Sequence, residues 1–296
     1  MSINHYVRTD LAAECPVIEE KKTLNGISLY TEKGRSTETA TIKVLDKNGE
    51  KQLGKPIGTY VTVSFGKVWA LPEDDLNNII ETVSEIIKNF TSQLVPDKEN
   101  LTILVAGLGN RYITSDAVGP LTVKEITVTR HVKNKDKKLF DMLNQQAVSA
   151  ISPGVLGQTG IETVELIKGA VDSVRPDLVI VVDALAAKNV NRLATTVQIC
   201  DTGISPGSGI GNTRQAINKE TLGVPVIALG VPTMVSSATL VYNALEKAEV
   251  DHISQELMEV LDNSISFFVT LNETDAVVNT ISHLLSESIN RAFCLS

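Results

Sequence analysis

Cysteine is scarce in this chain: Cys15, Cys200 and Cys294 are the only three in 296 residues. They are far apart and odd in number, and no CxxC or Cys/His metal spacing exists. This excludes a disulfide framework and a zinc-finger site, and it favours a reducing cytoplasm in which the cysteines are small buried residues. A basic excess is also missing. Lys and Arg total 27 against 35 Asp and Glu, for a net charge of −8, so the positive field of a direct nucleic-acid binder is absent. No apolar run approaches the ~20 residues of a membrane span. The N-terminus, MSINHYVRTDLAAE, lacks the basic-plus-apolar pattern of a secretory signal. These absences imply a soluble, intracellular protein. Serine chemistry has no sequence support either. Ser152 and Ser205 each precede Pro-Gly, and neither lies in a GxSxG elbow. Cys200 has no histidine placed to activate it, and His5, His252 and His283 stand alone.

What remains is a chain with 43% hydrophobic and 21% charged residues, enough for one large α/β domain with a well-filled core. Residues 26–70 alternate apolar and polar in short runs (ISLYTE, ATIKVLD, TYVTVSF). Glycines and Asn48-Gly49 punctuate them, the pattern of β-hairpins, so 23–70 is expected to be a small antiparallel extension. Pro72 and three acids then open a helix whose apolar face runs from Leu76 through Ile79, Ile80, Val83, Ile87 and Phe90 to Leu94. From 101 to 232, apolar strands alternate with helices. LTILVAG, DLVIVVDAL and VPVIALGVP are continuous apolar runs, as expected of strands covered on both faces. The expected fold is α/β, a doubly wound and mostly parallel sheet, followed by C-terminal helices over 236–296. Further helices are expected over 115–128 and 213–222, with Thr159 or Thr163 and a Thr270/Glu273 capping box at helix starts.

The stretch Leu101–Pro120, LTILVAGLGNRYITSDAVGP, organises the rest. Its Gly107-x-Gly109 first suggests a dinucleotide fold. Tyr112 occupies the third glycine's place, however, and no acid ends a strand about 20 residues on, so the fingerprint is incomplete. Two acids stand out instead. Asp116 follows the glycine turn, where it either caps a helix or serves chemistry. Asp183 ends an apolar run, and ligands in open α/β sheets bind at the carboxyl ends of strands. A close carboxylate pair splits its pKa values, so one acid stays protonated while the other is ionised. The ionised member takes a proton from water, and the protonated one polarises a carbonyl or protonates a leaving group. That arrangement serves amide hydrolysis. It also leaves a divalent metal open, with His131, Glu162 and Glu165 as further candidate ligands, although their spacing names no metal. Gly107, Gly109, Asn110, Gly154, Ser205, Gly207 and Gly209 are candidates for lining a substrate groove. Near the start, Asp10-Leu11-Ala12-Ala13-Glu14 reads either as a frayed terminus or as a recognition sequence.

Taken in order, YVRTDLAAE, VAGLGNRYITSDAVGP, VTRH, AISPGVLGQTGIET, PDLVIVVDALAA and ICDTGISPGSGIGNTRQAINKETLGVPVIALGVPT resemble the germination proteases of endospore-forming bacteria. The resemblance implies an atypical aspartic endopeptidase, with its two essential aspartates at Asp116 and Asp183 and a fold similar to hydrogenase maturation endopeptidases. It implies action on small acid-soluble spore proteins in the spore core. It implies a homotetrameric zymogen without a required cofactor, in which residues 1–10 are a propeptide removed by self-cleavage between Asp10 and Leu11, leaving 11–296 as one peptidase domain. No direct nucleic-acid or membrane partner is implied. Two other readings stay open, a metal-dependent maturation peptidase and a binding module without turnover. The Thr129–His131 triplet has no role beyond a possible pairing of Arg130 or His131 with a carboxylate.

Overall fold

The computed structural model describes residues 9–19, 24–143, 145–207, 214–250, 254–263 and 267–294. Nine strands are found among them: β1 Ile27–Lys33, β2 Glu38–Val44, β3 Gly58–Ser64, β4 Thr102–Gly107, β5 Ala147–Ile151, β6 Leu178–Ala186, β7 Thr196–Cys200, β8 Val226–Ser236 and β9 Phe268–Val269. The sheet order is β1-β2-β3-β7-β8-β6-β4-β5, with β9 paired to β8 beside this path. β5, β4, β6 and β8 run parallel and form the centre of the α/β fold. The β1–β3 meander joins the same sheet through β7, all antiparallel.

β7 runs against β8 because of its connection. Only nine residues separate Ala186 from Thr196, too few for the crossover helix that a parallel return requires. The pleat of β4 and β6 divides the core into two. Ile103, Val105, Ile180 and Val182 face one side, under the helices Glu73–Leu94 and Thr274–Phe293. Leu104, Ala106, Val179 and Val181 face the other, under the helix Thr163–Val174. Both faces of these strands are covered, and this is why they read as unbroken apolar runs.

Several local expectations change. Asn48-Gly49 makes no hairpin turn. It lies inside the helix Lys47–Leu53, because the Asp46 carboxylate accepts hydrogen bonds from the Asn48 and Gly49 amides and caps that helix. The helix expected over 115–128 is a 3-10 turn, Thr114–Asp116, followed by a short helix, Val118–Lys124. The helix expected over 213–222 shrinks to Lys219–Leu222, since Asn218 takes the cap by accepting from the Thr221 amide. Glu162, rather than Thr159 or Thr163, stands at the cap of the helix Thr163–Val174, and its amide donates to Glu165 Oε2 at 3.1 Å. Thr270 does not cap the last helix, where Glu273 takes the cap position. No helix among the described residues is long and apolar enough to cross a membrane.

Candidate active site

The site forms where β4 and β6 end. The Leu108 amide donates to Val182 O at 2.8 Å, so the turn after β4 stays fastened to β6. Gly107 and Gly119 let the helix Val118–Lys124 press directly on these strand ends. A Cβ on Gly119 would lie 2.3 Å from Leu108 O and 2.6 Å from Val182 O, and one on Gly107 would lie 2.1 Å from Gly119 O. Gly107 therefore serves packing and is not among the residues that line the cavity.

Gly109 adopts φ +106°, and a Cβ there would lie 2.0 Å from Asp116 O. The turn thus needs glycine both for its backbone angle and for its contact with the segment bearing Asp116. Asp116 does not cap a helix. Ala117 holds the cap position without a side-chain bond, and the Asp116 carboxylate instead accepts the Asn110 amide at 2.7 Å. Asn110 is itself held, its Oδ1 accepting from Gln158 Nε2 and from the Tyr112 amide. From the other side, Thr233 Oγ1 of β8 donates to Ser115 O at 2.6 Å and anchors the 3-10 turn.

Asp183 lies within β6, three residues before its end, and is 6% exposed. Its Oδ1 accepts the Ala184 amide at 2.9 Å. Asp116 and Asp183 line one cavity of about 130 Å3, together with Asp10, Gly109, Ser205, Gly207 and Arg214. Burial pushes the Asp183 carboxyl well above the usual range, and the negative charges of Asp116 and Asp10 push it further. Burial also raises Asp116, but the Asn110 amide and the Arg214 charge pull the other way. The two acids are therefore unlike: one is sealed among acids, and the other faces a donor and a cation.

The segment from Thr9 borders this cavity through Asp10. The Asp10 amide donates to Ala186 O at 3.0 Å, and Asp10 Oδ2 accepts the Ala186 amide at 2.9 Å. Leu11 is fully buried, packed with Leu185, Ala187, Leu193 and Val235. Ala12 is fully buried in a second cluster with Tyr60, Cys200 and Ala228. Glu14 is 1% exposed; it accepts from the Lys188 and Asn189 amides at 2.6 and 2.9 Å and from Thr9 Oγ1, and Arg192 Nε lies 3.6 Å away. Seen in the fold, this segment is a docked peptide whose four anchors are set by sequence, not a frayed end.

Of the groove candidates, Gly109, Ser205 and Gly207 line the cavity. Asn110 acts through its hold on Asp116, Gly154 is not among the lining residues, and Gly209 lies outside the described residues, as do residues 1–8 of the expected propeptide. His131 lies on the helix Arg130–Lys135, and Glu162 and Glu165 serve the helix start described above. Among the described residues, no group of three or more His, Cys, Asp or Glu is arranged to hold a metal ion. Sequence reading missed Arg214, Thr163 and Met234, which also line the cavity. None carries a local signal, because the start of the helix Thr163–Val174, β8 and the segment bearing Arg214 meet at the site only through the fold.

The germination protease family model matches residues 7–267. A germination protease of Caldanaerobacter subterraneus subsp. tengcongensis is 41% identical, the match covering 97% of this chain and 94% of the relative. One from Clostridium acetobutylicum is 37% identical over the same shares. One from Bacillus pumilus is 39% identical over 86% of this chain and 70% of its own. A solved [NiFe] hydrogenase maturation protease, HycI from Thermococcus kodakarensis KOD1, overlaps 69% of this chain and 99% of its own at TM-score 0.37 and 16% identity, a likeness too slight to carry weight. With the family model matched from the docked segment to beyond β8, and relatives matched along nearly their whole length, the chain belongs to the germination protease family.

Proposed function

We propose that this protein is an aspartic-type endopeptidase, made as a zymogen, that cuts its own Asp10–Leu11 bond and then small acid-soluble spore proteins in the spore core during germination. The observation that carries this reading is the docked segment. Asp10 borders the cavity shared by Asp116 and Asp183, and Leu11 fills an apolar pocket beside it. An acid before the cut and a large apolar residue after it would then be the features read in a substrate.

The unlike environments of the two acids support a different role for each. Asp116, beside Arg214 and the Asn110 amide, is the ionised member and takes a proton from water. Asp183 keeps its proton, because burial and two neighbouring negative charges disfavour a further charge there. The water oxygen bonds to the Asp10 carbonyl carbon, and the carbon–nitrogen bond to Leu11 breaks. Asp183 gives its proton to the departing nitrogen, leaving a carboxyl group, which keeps the second water proton, on Asp10 and an amine on Leu11. The cavity of about 130 Å3 is several times the ~30 Å3 share of one water. A docked segment that occupies the groove beside the acid pair suits a zymogen held silent until conditions change. Assembly as a homotetramer is part of this proposal and follows the family resemblance.

The test follows the mass of the purified full-length chain over time. The wild type is expected to lose its first ten residues, with and without a chelator present. Asp183→Asn is expected to stay folded by circular dichroism and remain uncut. Processing by Asp183→Asn would sink the two-aspartate reading, and loss of wild-type processing on chelation would move the pair to a metal-holding role.

A further inference from the structure

The carbonyl of Asp10 is held by two side chains that none of the chemistry above has used. Lys55 Nζ donates to Asp10 O at 3.0 Å, and Gln198 Nε2 donates to the same oxygen at 3.2 Å. Gln198 Oε1 accepts the Ala12 amide at 2.7 Å. One amide group thus clasps the backbone on both sides of the Asp10–Leu11 bond. Its orientation is fixed by its partners, since a peptide N–H can only donate and a carbonyl can only accept. Gln198 is 7% exposed on β7, opposite Gly230 of β8. Lys55 follows the left-handed Gly54 that ends the helix Lys47–Leu53. Its loop is tethered where Tyr60 Oη donates to Pro56 O at 2.9 Å. Neither residue stood out in the sequence, because one is a loop lysine and the other a polar position in a strand.

We propose that Lys55 and Gln198 form the oxyanion-stabilising pair of this peptidase, with Lys55 the catalytic cation and Gln198 both donor and clamp. The proposal rests on the cleavage reading given above. When water adds to the Asp10 carbonyl carbon, the C=O π electrons move onto the oxygen, which becomes anionic. That oxygen already touches one ammonium and one amide donor. When the carbon–nitrogen bond breaks, the electrons return to re-form a C=O, and the leaving nitrogen takes its proton from the acid pair. A half-buried ammonium gains little from a neutral carbonyl and much from an oxyanion, so its stabilisation is concentrated in the transition state. Neutral donors would suffice merely to hold a peptide in place. A cation on the one oxygen that becomes charged is placed where it would lower the barrier.

The two roles separate experimentally. In the full-length chain, Lys55→Met is expected to slow self-processing about 100-fold, the usual loss for one oxyanion donor, with Lys55→Arg recovering a large part of the rate. Seating of the segment is read by hydrogen exchange at the Leu11 and Ala12 amides in an Asp183→Asn background, which keeps the chain uncut. Lys55→Met should leave that protection within about twofold, because the clasp on Ala12 comes from Gln198. Gln198→Met should lose both rate and protection at Ala12. Equal processing rates in wild type and Lys55→Met would overturn this inference alone. Protection lost in step with rate in Lys55→Met would also overturn it, since Lys55 would then only hold the segment. Failure of the wild type to cut between Asp10 and Leu11 would remove the cleavage reading and this inference with it.

Discussion

Gly109 and Asp116 act as one unit at the residue scale. The turn at φ +106° brings the Asp116 backbone to where a Cβ would have to be, and it aims the Asn110 amide at the Asp116 carboxylate. Gly109→Ala imposes a left-handed angle on a side chain and displaces the segment bearing Asp116. A strained position of this kind costs of order 1–3 kcal/mol. We therefore expect a modest fall in melting temperature together with a loss of peptidase activity of about 100-fold or more, as small misplacements of a reacting group are costly. Thermal denaturation and cleavage of a Thr-Asp-Leu-Ala-Ala-Glu peptide check both arms; activity kept within about twofold would show that the turn does not set Asp116. Asp183 differs in kind. Its place inside β6, not beyond it, is the reason for its burial.

The docked segment Thr9–Glu19 matters as an element because its anchors, Asp10 and Leu11 before a 3-10 turn and Ala12 and Glu14 within it, meet three different parts of the fold. Asp10 pairs with the end of β6, Leu11 and Ala12 enter separate apolar clusters, and Glu14 reaches the loop after β6. Removing the Glu14 carboxylate strips two part-buried amides of their charged acceptor, which costs about 1–3 kcal/mol. Glu14→Ala should therefore slow self-processing by about 10- to 100-fold and expose the Ala12 amide to exchange. An unchanged rate would mean that Glu14 is not read. Much of the central fold was legible in sequence because strands covered on both faces must be apolar throughout, as Leu178–Val182 is. Asp183 stood out because a charge interrupts such a run, whereas Asp116 stood out only for its place after the glycine turn, where a helix cap was an equal reading. The direction of β7, the Asp46 cap that turns Asn48-Gly49 into helix, and the roles of Lys55, Gln198 and Arg214 were not legible. Each depends on a partner distant in sequence, on the length of a connection, or on a cap outweighing a turn dipeptide, and periodicity carries none of these.

The whole molecule carries the acid pair as a cost that varies with pH. Asp183 binds its proton more tightly when folded than when unfolded, because burial and the charges of Asp116 and Asp10 raise it. A carboxyl raised in the folded state contributes stability that is fully present below its unfolded pKa, about 3.9. That contribution is lost as pH rises through the folded value, since the folded state then binds more protons than the unfolded one. Asp183→Asn removes this dependence. Comparing the chains with and without that substitution in an Asp116→Asn background blocks turnover and keeps burial, the main cause of the shift. The chain that retains Asp183 should lose stability relative to the one carrying Asp183→Asn as pH rises from about 4 to about 8, with its urea midpoint falling steadily against the other. The opposite slope would mean that Asp183 is ionised and well partnered when folded, and parallel midpoints would mean that its carboxyl is ordinary. Either result would remove it as the proton donor. The predicted slope would place the proton on the acid sealed inside β6 and leave Asp116, facing Arg214, as the member that activates water.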